Sequence, residues 1–212
     1  MEILDYILHI DKYLETILND YQHWFYLILF LLIFIETGLV VMPFLPGDSL
    51  LFAAGMLAAA FPAQLNIYIV LGLLWIAAIA GDTVNYTIGK TLGTKLVTAK
   101  IFGKRIIKDS AILKTEDFFT KYGSKTIVIA RFVPIVRTLA PFVAGISKMH
   151  YGTFIKYNFI GGTIWVFGIT LAGYFLGTIP FIKNNFEIVV MAIIVFYWLP
   201  IIVECVKEKI KK

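Results

Sequence analysis

Two long stretches of the chain carry no charge at all, Ser49 to Gly81 and Tyr157 to Ile182, and a shorter one runs from Ile188 to Val203. A helix needs about 20 apolar residues to cross the hydrocarbon core, because that core is about 30 Å thick and each residue rises only about 1.5 Å. Runs of this length do not suit the half-wet surface of a soluble domain. The rest of the chain agrees, with 59% hydrophobic residues and a mean hydropathy of +0.84, against roughly half apolar in soluble domains. An integral, all-α membrane protein follows.

Charge placement orients it. Nine Lys or Arg and three acids lie between Lys90 and Lys125, and the tail from Glu204 adds four Lys against two Glu. Basic connections stay on the cytoplasmic side, so both belong there. The connection at 178–187 is neutral, and the first twenty residues set Glu2, Asp5, Asp11, Glu15 and Asp20 against Lys12 alone; both suit the outer side. An acidic start is unlike a signal peptide, which opens with positive charge. Leu4, Ile7, Leu8, Leu14, Ile17 and Leu18 recur at helical spacing, which predicts an amphipathic helix over 1–22 lying on the membrane. The basic loop lacks the interleaved aromatics and Arg forks of a nucleic-acid surface, so no nucleic acid is expected as a partner. With Cys205 the sole cysteine and His9, His23 and His150 scattered, neither a metal nor another cofactor is expected.

If 90–125 and the tail share one side, an even number of crossings separates them. The helix at 153–178 and one in 179–212 supply two, so the apolar segment 126–148 must enter and return on the same face. It contains Pro134 and Pro141. Proline lacks an amide proton and disfavours the helical conformation of its predecessor, so a re-entrant hairpin is predicted. The first half repeats the plan: a proline-broken hairpin over 24–60, turning at Pro43, Pro46 and Gly47, then a crossing helix over 65–89. "PFLPG" at 43–47 matches "PFVAG" at 141–145, ending in Gly145, and "YTIG" at 86–89, opening with Tyr86, matches "YFLG" at 174–177. Repeat 1 thus covers 23–89 and repeat 2 covers 126–178, running in opposite directions. This is the inverted repeat of many secondary transporters.

Within these apolar segments lie Glu36, Asp48, Asp82, Arg131 and Arg137. Unpaired, five such charges would cost on the order of 12–17 kcal/mol, so they must face protein, water or ligand. The first hairpin holds Glu36 and Asp48, the second Arg131 and Arg137. Folding at the prolines puts the two acids on facing arms of one hairpin, and two carboxylates in a low-dielectric site suit proton coupling. On a straight helix the two arginines would point about 120° apart; a break at Pro134 brings both to one cavity. Arginine forks phosphate bidentately and keeps its charge, so an anionic headgroup is the expected ligand. Pure ion pairing between the acids and the arginines is the structural alternative. Asp82, within two turns of Lys90, stands with Tyr86 in a second tier. Gly81, Gly89 and Gly93 fit close helix packing rather than a phosphate loop, since no Gly-Lys-Ser/Thr follows.

The stretches "FIETGLVVMPFLPGDSLLFAAGMLAA", "GDTVNYTIGKTLG" and "FFTKYGSKTIVIARFVPIVRTLAPFVAGISKM", followed by "YNFIGGTIW", resemble the DedA family of bacterial inner-membrane proteins over about residues 25 to 200. That family shares the VTT (SNARE-associated) domain with eukaryotic lipid scramblases. The resemblance implies a transporter driven by the proton-motive force, with recycling of undecaprenyl phosphate by some members. It also implies that the family's required acids fall on Glu36 and Asp48, and its arginines on Arg131 and Arg137.

The leading expectation is a transporter that moves a phosphate-bearing lipid, undecaprenyl phosphate or a phospholipid, across the inner membrane with protons as coupling partner. A proton-coupled antiporter of small cations would use the acids but leave two arginines repelling its substrate. A membrane phosphatase would need a nucleophile or metal constellation, and no His lies beside the charged hairpins, so no enzyme is expected. A non-transporting assembly factor would use the charges structurally. Oligomeric state is left open.

Overall fold

The computed structural model describes residues 10–39, 47–98, 100–101, 104–105 and 109–180. In chain order these form α1 (Ile10–Gly38), α2 (Gly47–Ala60), α3 (Ile67–Thr98), a two-residue ladder of β1 (Lys100–Ile101) and β2 (Lys104–Arg105), α4 (Asp109–Tyr122), a 3-10 turn at Gly123–Lys125, α5 (Thr126–Ile129), a second 3-10 turn at Ala130–Phe132, α6 (Pro134–Ile146) and α7 (Tyr151–Gly177). The turn residues Pro43 and Pro46 and the segment 181–212 lie outside the described residues, as do residues 1–9 of the expected amphipathic helix.

Among the described residues three stretches are long and apolar enough to cross a membrane by length and composition: Leu18–Gly38, Ile67–Gly93 and Tyr151–Gly177. The chain leaves helical geometry at Tyr21 (φ −127°, ψ 27°), three residues into the first of these stretches. The first arm of the expected 24–60 hairpin falls within the 21-residue stretch Leu18–Gly38. In the basic segment 90–125, α3 runs eight residues past Lys90, and α4 packs Ala111, Ile112, Phe118 and Phe119 on the core.

Contacts divide the chain into two compact units, residues 1–27, 46–70 and 169–212 in one and 28–45 and 71–168 in the other. In the first, α2 buries Leu51, Ala54, Met56 and Ala58. Gly55 faces the Thr170 carbonyl so closely that a Cβ would overlap it, and Gly173 meets the Phe52 carbonyl in the same way. Tyr26 Oη accepts from the Asn66 amide at 2.8 Å, and Gln22 donates to the Gln64 carbonyl.

The second unit packs Ile127, Ala130, Val136, Ala140, Ala144 and Phe154 around Tyr86. Gly89 abuts the Phe142 carbonyl, Gly145 the Tyr86 carbonyl and Gly93 the Ile146 side chain; these are the close helix contacts that the glycine spacing predicts. Tyr86 stacks on Phe154 (centroids 4.4 Å apart) and donates to the Met149 carbonyl at 2.5 Å. That carbonyl is presented by a tight turn through Lys148, whose φ of 52° is left-handed.

The two prolines of the expected 126–148 hairpin behave differently. Pro134 opens α6, and Val133 before it is extended (φ −120°, ψ 105°), as the clash with the proline ring demands. Pro141, expected to break the chain as well, sits inside α6 without ending it. It removes only the bond to the Arg137 carbonyl, and the surrounding contacts of Leu139, Phe142 and Val143, all buried, hold the helix through that gap.

Candidate functional site

The second unit holds a cavity lined by Glu36, Thr37, Asp82, Arg131, Arg137, Thr138 and Trp165. Its free volume of about 10 Å³ is that of a single water-sized sphere. Each charge reaches it by a local device. Glu36 comes from the last turn of α1. Asp82 sits near the middle of the span in α3, where Gly81 beside it lets α1 approach to within contact of Thr37 and the Phe34 carbonyl. Arg131 leaves from the 3-10 turn and Arg137 from the first turn of α6. The extended residue Val133 between them turns the two side chains toward one place, as the break at Pro134 predicts.

The charges are paired. Arg137 binds Glu36, 101 residues away in sequence, and Arg131 binds Asp82, 49 residues away. Arg131 also donates through Nη2 to Asn158 Oδ1 at 2.5 Å, and Asn158 in turn donates to the Ile79 carbonyl at 3.1 Å. Two cations and two anions sum to zero, so the site carries no net charge into its apolar surroundings. Each pair also joins segments that are distant in sequence, so the site and the fold of this unit are one structure.

Neutral groups complete the shell. Trp165 is buried, and its ring lies 5.6 Å from the Arg131 guanidinium carbon and 5.4 Å from that of Arg137. Gly161 and Gly162, one turn earlier on α7, leave room for the Arg131 stem; a Cβ at Gly161 would stand 3.0 Å from its Nε. Asn85 donates through Nδ2 to the carbonyls of Thr37 and Thr138, at 3.0 and 2.9 Å. The Thr37 carbonyl belongs to the last turn of α1, where no intrahelical donor remains. Asn85 thus caps that helix and ties it to α6 at the residues that follow Glu36 and Arg137.

The structure regroups the residues that the sequence singled out. Glu36, Arg131 and Arg137 share the cavity. Asp82 joins them as a full member rather than a second-tier residue near the interface, being 5% exposed and paired with Arg131. Asp48 belongs to the other unit, in the first turn of α2, where a carboxylate complements the positive end of the helix dipole. Tyr86 serves the core through its bond to Met149 and does not line the cavity. Gly47 opens α2 and is buried, while Gly145 is a packing contact. Asn85, Asn158 and Trp165 escaped sequence reasoning because all three are uncharged. The one available signal was three polar or amphipathic side chains inside membrane-length apolar runs. Among the described residues no group of three or more His, Cys, Asp or Glu could hold a metal ion.

A helical membrane protein with one buried and one largely buried arginine, each neutralised by a carboxylate and both against one indole, defines a class in which charge has been carried into the bilayer. Residues 45–175 match the VTT domain, and the chain belongs to that family. It is 50% identical over 207 residues to Protein DedA of Escherichia coli K12, a match that covers 98% of this chain and 94% of the relative. It is 40% identical over 177 residues to an uncharacterized membrane protein of Mycobacterium tuberculosis H37Rv, covering 84% and 77%. Identity to the inner membrane protein YqjA of E. coli K12 is 34% over 159 residues, covering 73% and 69%. No solved structure matches the chain.

Proposed function

We propose that this protein carries a phosphate-bearing lipid, such as undecaprenyl phosphate or a phospholipid, across the bacterial inner membrane, coupled to proton movement. One observation carries the reading: both guanidinium groups of the buried cavity are held by carboxylates, and the space left between them is that of about one water. An anion can enter only if a carboxylate lets go. Protonation of Glu36 or Asp82 removes the charge that holds Arg137 or Arg131, and the freed fork then presents parallel N–H donors to phosphate oxygens. Thr37 and Thr138 supply hydroxyls beside it. Apolar surface at Ile76, Phe159 and Ile164, all at least half exposed, offers an acyl or prenyl tail a path through lipid, so only the headgroup needs polar company. Asp48, at the start of α2, keeps the proton-coupling role that the family resemblance implies. In this reading the protein performs no reaction and needs no cofactor.

An inverted repeat supports alternation between the two faces. Phe52 and Gly55 of α2 meet Gly173 and Thr170, and Phe142 and Gly145 of α6 meet Gly89 and Tyr86. The spacing is the same in each unit. This register aligns "GKTLG" at 89–93 with "GYFLG" at 173–177 and "FAAG" at 52–55 with "FVAG" at 142–145, in place of the matches of 43–47 with 141–145 and of 86–89 with 174–177. The two proline-broken hairpins remain part of the proposal, as does a cytoplasmic C-terminus, inferred from the basic loop and tail.

The test is flipping in proteoliposomes under an imposed pH gradient, with matched phosphorylated and dephosphorylated lipids. Wild type is expected to prefer the phosphorylated lipid, and Arg131→Ala and Arg137→Ala each to lose that preference while still inserted. Equal handling of both lipids by wild type would overturn the reading. It would favour the non-transporting assembly factor, for which the satisfied ion pairs are the specific support. A small-cation antiporter is disfavoured by two guanidinium groups at the cavity wall.

A further inference from the structure

Two guanidinium groups in one small cavity repel each other, and the carboxylates that compensate them come from α1 and α3. Besides the hydroxyls of Thr37 and Thr138, uncharged groups of α7 lie against the arginines. Asn158, Gly161, Gly162 and Trp165 are spaced i, i+3, i+4 and i+7, so they form a single stripe on that helix. Along it Asn158 accepts from Arg131, the two glycines make room for its stem, and Trp165 lies within cation–π range, about 6 Å, of both charges. The titratable groups of the described residues that face the guanidiniums are Glu36 and Asp82. No member of the stripe titrates.

We propose that Trp165 is the positioning residue of this site: its ring face holds both guanidinium groups in the cavity when Glu36 or Asp82 releases them, so that the arginines act together as one anion receptor. The indole is the strongest π-donor among the aromatic side chains, and its attraction for a cation grows as water is excluded. An arginine that loses its carboxylate in so narrow a cavity would otherwise swing toward an interface. Held on the ring, it keeps its N–H fork aimed into the space that the carboxylate leaves. The inference rests on the lipid-phosphate reading for the identity of the anion, but the seating of the arginines is separable from it.

Fluorination of the indole tests both parts. Each ring fluorine withdraws π-density while barely changing size, so packing is preserved and cation–π attraction falls stepwise. With mono-, di- and trifluorotryptophan placed at position 165 of the full chain in nanodiscs, affinity for a phosphomonoester lipid is expected to fall at each step. Trp165→Leu should lose roughly tenfold or more, and Trp165→Phe should fall between Leu and wild type. The fluorine resonance of 5-fluoro-Trp165, read with no lipid ligand, is expected to shift in Arg131→Gln and again in Arg137→Gln. Selective phospholipid binding by wild type that is indifferent to fluorination would overturn the proposal while leaving the transport reading intact. A fluorine signal blind to either arginine would overturn it too. If the resonance responds to both arginines but wild type does not prefer the phosphorylated lipid, the seating stands and the transport reading fails.

Discussion

Removing the charge of Asp82 alone should cost more than removing both charges of its pair. Arg131 and Asp82 are 6% and 7% exposed at their side chains, so neither charge can recover its hydration when the other is lost. Breaking a buried pair from one side costs about 3–5 kcal/mol, because the surviving ion is left uncompensated. In Asp82→Asn the amide oxygen can still accept from the guanidinium, and Asn158 and Trp165 remain in place, so the lower end applies. The expected loss is about 3 kcal/mol, a factor of roughly 150 in the unfolding equilibrium. The double variant Asp82→Asn, Arg131→Gln buries a neutral amide pair and no ion, and replacing both partners is nearly neutral in comparable cases. It should therefore lie within about 1–2 kcal/mol of wild type. Denaturation by SDS in mixed micelles, followed by far-ultraviolet circular dichroism, gives the four corners of the cycle. If Asp82→Asn matches wild type within about 0.5 kcal/mol, or if the double variant is worse than the single one, the pair is not a buried charge lock and the argument for its release by protonation fails with it.

Two further outcomes follow from the geometry and the charge pattern. Gly89→Ala and Gly145→Ala each drive a Cβ into a facing backbone carbonyl, whereas Gly72 has open space around it; the first two should each lose about 1–3 kcal/mol in the same SDS titration, with Gly72→Ala close to neutral. Single cysteines near Lys100 and in the tail, in a Cys205→Ser background, should resist impermeant thiol reagents added to intact cells, while one at Asn184 should label. Labelling near Lys100 from outside would refute the re-entrant count that keeps that segment and the tail on one side.

Much of this protein is legible along the chain. Uncharged runs from Ser49 and from Tyr157 declare membrane helices, because the cost of burying a charge is local to the residue that carries it. The break at Pro134 is local too, since the ring acts on its own predecessor and on the residue four before it. The suspicion attached to Glu36, Arg131 and Arg137 needed nothing but their surroundings in sequence. Other features depended on neighbours far along the chain. Pro141 has the same chemistry as Pro134 yet lies inside a helix, because buried contacts around it outweigh one missing hydrogen bond. Asp82 looked able to reach an interface, and only its meeting with Arg131, 49 residues on, makes it a member of the site. The pairing itself, Glu36 with Arg137 and Asp82 with Arg131, has no sequence rule behind it, for any acid can neutralise any arginine until packing chooses. Trp165, Asn158 and Asn85 are hidden for the same reason: a neutral side chain in an apolar run acquires a role only from what the fold sets against it. Hydrophobicity and backbone restriction are written residue by residue, while partnership between charges is decided by close packing of helices that are distant in the chain.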